Sequence, residues 1–247
     1  MVDQLGHRGR IGIVVPSTNT SCQPESERLR PRGVTNHVGR ISIKERPLTT
    51  EQAFLDHVQA MREGMRTAID QVMTCQPTHV IMGVALEAFW GGVAAADALQ
   101  AELATRAGVG VSMGSTATVA ALQRFGAKRV AVLTPHQPRG DEQVRHYFTE
   151  AGFEIRRLTG LKCASPVLIA HTTAQQVIDA LRALDGDDVD AIVQVGTNLG
   201  AIELCAQAER WFDKPVLAIN AVTYWDALRR SGIDDRLHGH GRVLEEF

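Results

Sequence analysis

The chain has 247 residues, 44% of them hydrophobic, with 26 basic against 28 acidic residues and a formal net charge of −2. That is enough apolar material for a sizeable core in one or two domains, and neither sign of charge is in the excess that would favour nucleic acid or an anionic membrane surface. No apolar run reaches the length of a bilayer span, and residues 1–10 are polar without the apolar core of a secretory signal, so a cytoplasmic protein with a small-molecule partner, no nucleic acid and no membrane is expected.

Apolar, β-branched runs alternate with helical patterns along the chain. Ile11 to Val15 reads as a buried strand. Phe54, Val58, Met61, Met65, Ile69 and Val72 recur at helical spacing and predict a helix over 54–72 with one apolar face. His79 to Met82 reads as a second strand, followed by a helix from about Gly92 to Arg106. Val109 to Met113 predicts a third strand, and Thr116 to Phe125 a helix closed by Gly126. Arg129 to Leu133 starts the series again. It continues with a helix over 141–151, a strand over 154–158, a helix over 174–184, a strand over 191–195, a helix over 200–211, a strand over 215–219 and a helix over 222–231. Strands alternating with helices predict parallel sheets with right-handed crossovers.

The series repeats once. Lys128 to Pro135 echoes Gly9 to Pro16, and Ala120 to Gly126 echoes Asp226 to Gly232. A third echo joins His79 to Gly92 with Ala191 to Glu203, each a short apolar run, a glycine-containing turn and a helix start. Three echoes in order favour duplication over the likeness that any α/β chain has to itself. The expected fold is therefore α/β, with two pseudo-symmetric lobes, each a parallel sheet flanked by helices. Residues 1–115 form the first lobe, completed by 221–247, residues 116–220 form the second, and the cleft lies between them.

Cys22, Cys75, Cys163 and Cys205 are scattered, with no CxxC pair and no zinc spacing, which predicts reduced thiols. The histidines assemble no metal-ligand spacing, and His238-Gly239-His240 reads as exposed tail. Gly108, Gly110 and Gly114 overlap the third strand instead of following it, so they are not a dinucleotide fingerprint, and there is no P-loop. No cofactor and no metal are expected.

Val14-Val15-Pro16-Ser17-Thr18-Asn19-Thr20, directly after the first strand, resembles the opening motif of maleate cis-trans isomerases. Met82-Gly83, Leu86, Phe89 and Gly91-Gly92, then Ser115-Thr116-Ala117 and Phe125 to Ala131, are similar to segments of arylmalonate decarboxylases. So are Lys214-Pro215-Val216, Trp225-Asp226-Ala227 and Gly239-His240-Gly241-Arg242. On these motifs, spread from Arg10 to Arg242, the chain is identified as a member of this family within the aspartate/glutamate racemase superfamily. The resemblance implies a racemase-like two-lobed fold, a site between the lobes and a homo-oligomer. It implies cofactor-free proton movement beside a carboxylate, or nucleophilic addition to an enedioate. It also implies cysteines at the two turns: one on each lobe in racemases and maleate isomerases, and only the second in decarboxylases. Here Gly83 stands at the first place, as in the decarboxylases, and Gly196 at the second. Val84-Ala85 replace the small hydroxyl residues that follow the first place in the decarboxylases.

Candidate site residues follow. Asn19 matches the family's carboxylate-binding position, and its amide can donate to an anion, although Ser-Thr-Asn-Thr is also ordinary turn chemistry. Thr197 and Asn198 could offer hydroxyl, amide and backbone N–H groups, or could cap the helix that begins near Gly200. Glu87, beside Phe89 and Trp90, could be a general acid or base with a raised pKa, or simply a favourable charge in a first helical turn. His136, near where family members place a tyrosine, could donate to a carboxylate or shuttle a proton, or could be a surface-loop histidine. Cys22 and Cys205 read as structural, because a free cysteine packs as a small hydrophobe. Pro16, Ser17, Asn19, Gly83, Val84, Gly196, Thr197 and Asn198 are thus expected around a small carboxylate substrate, with Glu87 or His136 moving its proton. The activity implied is isomerisation, racemisation or decarboxylation through an enolate-like species without the family's cysteines. The alternatives are a lyase or hydratase using Glu87 or His136 as acid and base, and a binding protein without catalysis.

Overall fold

Residues 3–45 and 47–247 are described by the computed structural model; the Phe54 side chain, expected on the helical face, lies outside the described residues, as do Met1 and Val2 of the polar start. The first lobe runs β1 (Gly9–Pro16), α1 (Cys22–Arg28), β2 (Val34–Ile41), α2 (Glu51–Met73), β3 (His79–Met82), α3 (Leu86–Phe89), α4 (Gly92–Ala107) and β4 (Gly110–Met113). The chain continues through α5 (Gly114–Arg124), β5 (Arg129–Thr134), α6 (Pro138–Glu150), β6 (Glu154–Gly160), α7 (Pro166–Ile169), α8 (Ala174–Leu184), β7 (Ala191–Gln194), α9 (Ile202–Phe212), β8 (Val216–Ala218), α10 (Ile219–Arg230) and α11 (Arg242–Glu246).

Two four-stranded parallel sheets result, in the orders β2-β1-β3-β4 and β6-β5-β7-β8. The identical strand order is the structural form of the sequence repeat, and the expected two-lobed α/β architecture is present. In each sheet the second strand in order is the spine. Ile11, Ile13, Val14 and Val15 of β1 and Val130 to Leu133 of β5 are fully buried, because helices cover both faces of a parallel sheet. Helix α2 buries Val58, Met61, Met65, Ile69 and Val72, the face its spacing predicts, and each such side chain contributes about 1.5–3 kcal/mol. Helix α8 starts on a complete capping box between Thr173 and Gln176. Helix α10 leaves β8 and packs against β3, β4 and α1 of the first lobe as well as against α5.

Sequence patterning does not reveal β2 or α1. β2 is an edge strand whose Thr35, Asn36, His37 and Val38 are half-buried and whose Arg40 is exposed, so neither an apolar run nor strict alternation marks it. α1 is too short to display a period. Other limits differ by a turn or less: α6 begins at Pro138, before the expected 141, and α10 begins at Ile219, before the expected 222. Among the described residues no helix is long and apolar enough to cross a membrane.

Candidate active site

A strand order of 2-1-3-4 reverses its winding direction between β1 and β3, and the second sheet does the same between β5 and β7. Loops leaving the carboxyl ends of such strand pairs diverge and open a crevice. A mostly apolar cavity occupies that place in both sheets at once. Its walls come from Pro16, Thr18 and Asn19 after β1, Val84 to Glu87 after β3, Pro135 to Gln137 after β5, and Gly196 to Asn198 after β7. Ile43 and Leu48 from the loop after β2, His57 and Met61 from α2, and Cys163, Ser165, Pro166 and Ile169 from the segment after β6 complete it. The cavity volume is about 80 Å³, which suits a ligand of a few heavy atoms.

The cleft floor is a hydrogen-bond network joining the lobes. Asn19 Nδ2 donates to Thr197 Oγ1 at 3.1 Å, and Thr197 Oγ1 donates to the Gly83 carbonyl at 3.0 Å. Asn19 Oδ1 accepts from the amides of Ser21 and Cys22, which fixes its orientation and leaves the second Nδ2 hydrogen for the cavity. Asn198 is fully engaged by backbone: its Oδ1 accepts from the Thr20 and Ser21 amides, and its Nδ2 donates to the carbonyls of Thr18 and Pro166. The amides of Ala201 and Ile202, which open α9, donate to Glu25 Oε1 at 2.8 and 3.0 Å. Asn220 Nδ2 donates to the other oxygen of Glu25 at 2.6 Å. Burial raises the Glu25 carboxyl above the ordinary range, while these donors pull it back.

Glu87 is buried in the first turn of α3, with Oε1 lacking a hydrogen-bond partner. Desolvation pushes its carboxyl up to about 7, only partly offset by its own backbone N–H and by the Arg62 guanidinium. Glu87 also borders an outer groove that includes Arg62 and Trp90, so it sits in the wall between cavity and groove. His136 is held by its amide, which donates to Thr134 Oγ1 at 3.1 Å. Its Nε2 is buried without a partner, and burial takes the imidazole down to about 4. At neutral pH it is therefore an uncharged hydrogen-bonding group. The Cys22 thiol lies behind Gly83 and is pushed up to about 12 by burial and by Glu25, which makes it unreactive. Cys205 is buried, and burial raises its thiol well above the ordinary value.

The structure brings Pro16, Asn19, Val84, Glu87, His136, Gly196, Thr197 and Asn198 to one cavity. Two expected residues stand apart. Ser17 is exposed and exchanges hydrogen bonds with the backbone of Ile43, accepting from its amide and donating to its carbonyl. The Gly83 amide donates to the Val14 carbonyl at 2.7 Å and its carbonyl takes the Thr197 hydroxyl, so Gly83 itself has no amide to offer an anion. The Asn198 side chain is spent in the same way. The expected capping of α9 by Thr197 or Asn198 is also absent: Ala201 is the N-cap, and Glu25 reaches across from α1 to accept from the first amides of the helix. Sequence reasoning missed His57 and Met61, which share one helix face at i, i+4, and Cys163, for which no sequence signal exists. Among the described residues no three His, Cys, Asp or Glu side chains group as metal ligands.

A family model described as arylmalonate decarboxylase matches residues 11–244 of the chain. Maleate isomerase from Nocardia farcinica (strain IFM 10152) is 27% identical over 243 residues, which span 96% of this chain and 96% of that protein. Arylmalonate decarboxylase from Bordetella bronchiseptica is 27% identical over 242 residues, again 96% of each. Among solved structures, a cysteine-to-serine variant of Nocardia farcinica maleate cis-trans isomerase with a covalently bound succinylcysteine intermediate matches with a TM-score of 0.87 at 25% identity, over 96% of this chain and 98% of that one. A crystal structure of arylmalonate decarboxylase shares the fold with a TM-score of 0.76 at 19% identity, over 95% and 98%.

Proposed function

The chain belongs to the arylmalonate decarboxylase family, and from that membership we propose that it is a cofactor-independent isomerase or decarboxylase of a small carboxylic acid, working through an enolate-like intermediate. The observation that carries this reading is Glu87: a buried carboxyl in the cavity wall, with one oxygen unpartnered and its pKa pushed up to about 7. A carboxyl poised near neutrality can take a proton from carbon and hand it back at the same pH. The Asn19 amide and the neutral imidazole of His136 would hold the developing oxyanion, since both residues line the cavity and neither carries charge that the substrate must displace. Thr197 acts by orienting Asn19, and Asn198 by holding the lobes in register. In this scheme no thiol is needed at either glycine turn.

Proton NMR in D₂O with maleate, phenylmalonate, substituted malonates and chiral 2-substituted acids tests the reading. One of these compounds should be isomerised, decarboxylated or deuterated, and Glu87→Gln should abolish the change in a folded protein. Silence across the panel from folded wild-type protein overturns it. A binding protein without catalysis is the competing reading, favoured by the engagement of Gly83, Thr197 and Asn198 in structural hydrogen bonds. Retention of a panel compound without turnover would select it.

A further inference from the structure

We propose that the ligand of this cavity carries one ionised carboxylate on a short aliphatic body, and that dicarboxylates and aryl acids are excluded. The assignment rests on the proposed function above and names its substrate class. Charge decides the first half. Among the described residues that line the cavity there is no arginine or lysine. The cations nearest in the chain stand outside it. Lys44 and Lys162, beside the lining residues Ile43 and Cys163, are exposed. Arg62 lines the outer groove, and the Arg40 guanidinium donates to the Asn19 carbonyl at 3.0 Å and to Gln23 Oε1 at 2.9 Å. Arg139 lies over the Trp90 ring and pairs with Glu51.

Among the described lining residues only His57 and His136 can take up positive charge, and burial holds His136 uncharged. Glu87 is the acidic side chain of the lining, and its ionised form already sets one negative charge there. Even a protonated His57 would therefore offset no more than that one charge. A substrate dianion would bring two more into a mostly apolar site, where an uncompensated ion keeps most of its desolvation cost. One carboxylate can be met, because the Asn19 amide and the His136 imidazole both line the cavity. The other side-chain amides of the lining are engaged elsewhere. Asn198 bonds four backbone groups, and Gln137 Nε2 donates to the carbonyls of Lys162 and Cys163, both at 2.9 Å.

Volume decides the second half. An apolar cavity of about 150 Å³ admits benzene. This one measures about 80 Å³, roughly half of that, so an aryl ring and a carboxylate do not fit together. Met61, Val84 and Leu86 of the wall are themselves buried, so the wall does not retreat without disturbing a packed interior. Ile43, Leu48 and Ile169 add aliphatic surface, which suits methyl and methylene groups.

Isothermal titration calorimetry of the wild-type protein at about pH 8, where carboxylic acids are fully ionised, reads charge and size separately. Maleate is compared with its half-amide, and methylmalonate with its half-amide; each pair has like shape and differs by one charge. The half-amides of methylmalonate and phenylmalonate are compared for size. Each half-amide should bind at least about tenfold tighter than its diacid, because an uncompensated buried charge costs more than a tenfold change in Kd. The methyl compound should bind at least about tenfold tighter than the phenyl one, since the ring overfills the cavity. A preference below about tenfold in either comparison, or no binding of any of these compounds to folded protein, overturns the assignment. Turnover of the same compounds, followed by NMR, reads the proposed function by itself. Binding in the expected order without turnover supports the charge and size assignment and overturns the proposed function. Turnover of a diacid or an aryl acid as fast as of the small half-amides overturns the assignment and leaves the proposed function standing.

Discussion

Pro135 closes over Gly196. A Cβ on Gly196 would stand 2.6 Å from both Cγ and Cδ of the proline ring, and the residue's φ is +128°, which L side chains rarely adopt. At the other turn, a Cβ on Gly83 would lie 2.5 Å from Val15 Cγ1 and 2.9 Å from Cys22 Sγ. Each turn is moulded around glycine by a stiff neighbour, a proline ring in one case and a β-branched side chain in the other.

Gly196→Cys should therefore not simply install a reactive thiol. A strained φ costs about 1–3 kcal/mol and overpacking about 1–3 kcal/mol, so a loss of about 2–6 kcal/mol in urea denaturation is expected. Gly83→Cys should cost the overpacking part alone, because no positive φ adds to it. Stabilities of both variants within about 0.5 kcal/mol of wild type would show that the neighbours yield freely.

Glu87 sets a pH dependence of stability with an unusual sign. Its carboxyl is raised from 4.5 to about 7 in the folded state, so the folded protein holds a proton there that the unfolded chain has released. The stabilising effect is complete below about 4.5 and lost as pH rises through about 7. At about 1.4 kcal/mol per pH unit, its full span is on the order of 3 kcal/mol. Glu87→Gln should flatten the stability profile over this range and, relative to wild type, gain at pH 8. A wild-type profile unchanged by the substitution would mean that Glu87 is not desolvated.

His136 works in the opposite direction. Burial lowers it from 6.5 to about 4, and His79, buried against Ser112 at 2.8 Å, is lowered to about 4 as well. The unfolded chain takes up protons at these sites first, so stability present above about 6.5 is lost as pH falls through about 4. His136→Phe should remove part of this acid loss, and it should also reduce kcat by about tenfold or more if the imidazole holds the oxyanion. Chemical denaturation across pH, paired with turnover, separates the two effects. An unaltered acid limb would contradict the burial of the imidazole.

Asn19→Ala and Asn198→Ala should part company. Asn198 satisfies backbone groups on both lobes, and each buried hydrogen bond is worth about 0.5–1.5 kcal/mol. Its loss should lower stability by about 2–4 kcal/mol. Asn19 makes three hydrogen bonds and also lines the cavity, so its loss should cost somewhat less stability and, unlike that of Asn198, should also weaken ligand binding or slow turnover. Differential scanning calorimetry with a ligand titration distinguishes them. A larger stability loss at Asn19 than at Asn198 would reverse the two roles.

The fold was largely legible in the chain because a parallel sheet covered on both faces must be written in continuous β-branched runs, as at 11–15 and 129–133. The repeat of those runs announced a second lobe. β2 escaped because an edge strand needs no such run, and α1 because seven residues cannot display a period. In the site, Asn19, Glu87, His136, Gly196 and Thr197 were marked by their position just past strand ends, where α/β sheets deliver functional groups.

What the sequence could not contain is the direction in which each polar group spends its bonds. Ser17 and Asn198 sit in the same kinds of turn as Asn19, and all three carry groups able to bind an anion. Only the packing of one lobe on the other engages Asn198 with four backbone groups, and only the fold of the first lobe turns Ser17 toward Ile43. Cys163 and His57 reach the cavity through contacts between segments distant in the chain, and no local pattern records such contacts. The sequence determined the two lobes, most of their strands and the strand ends at which a site could form. Tertiary structure decided which side chains remain free there and how far burial shifts Glu87 and His136, because hydrogen-bond satisfaction and desolvation depend on neighbours that the chain supplies only after it has folded.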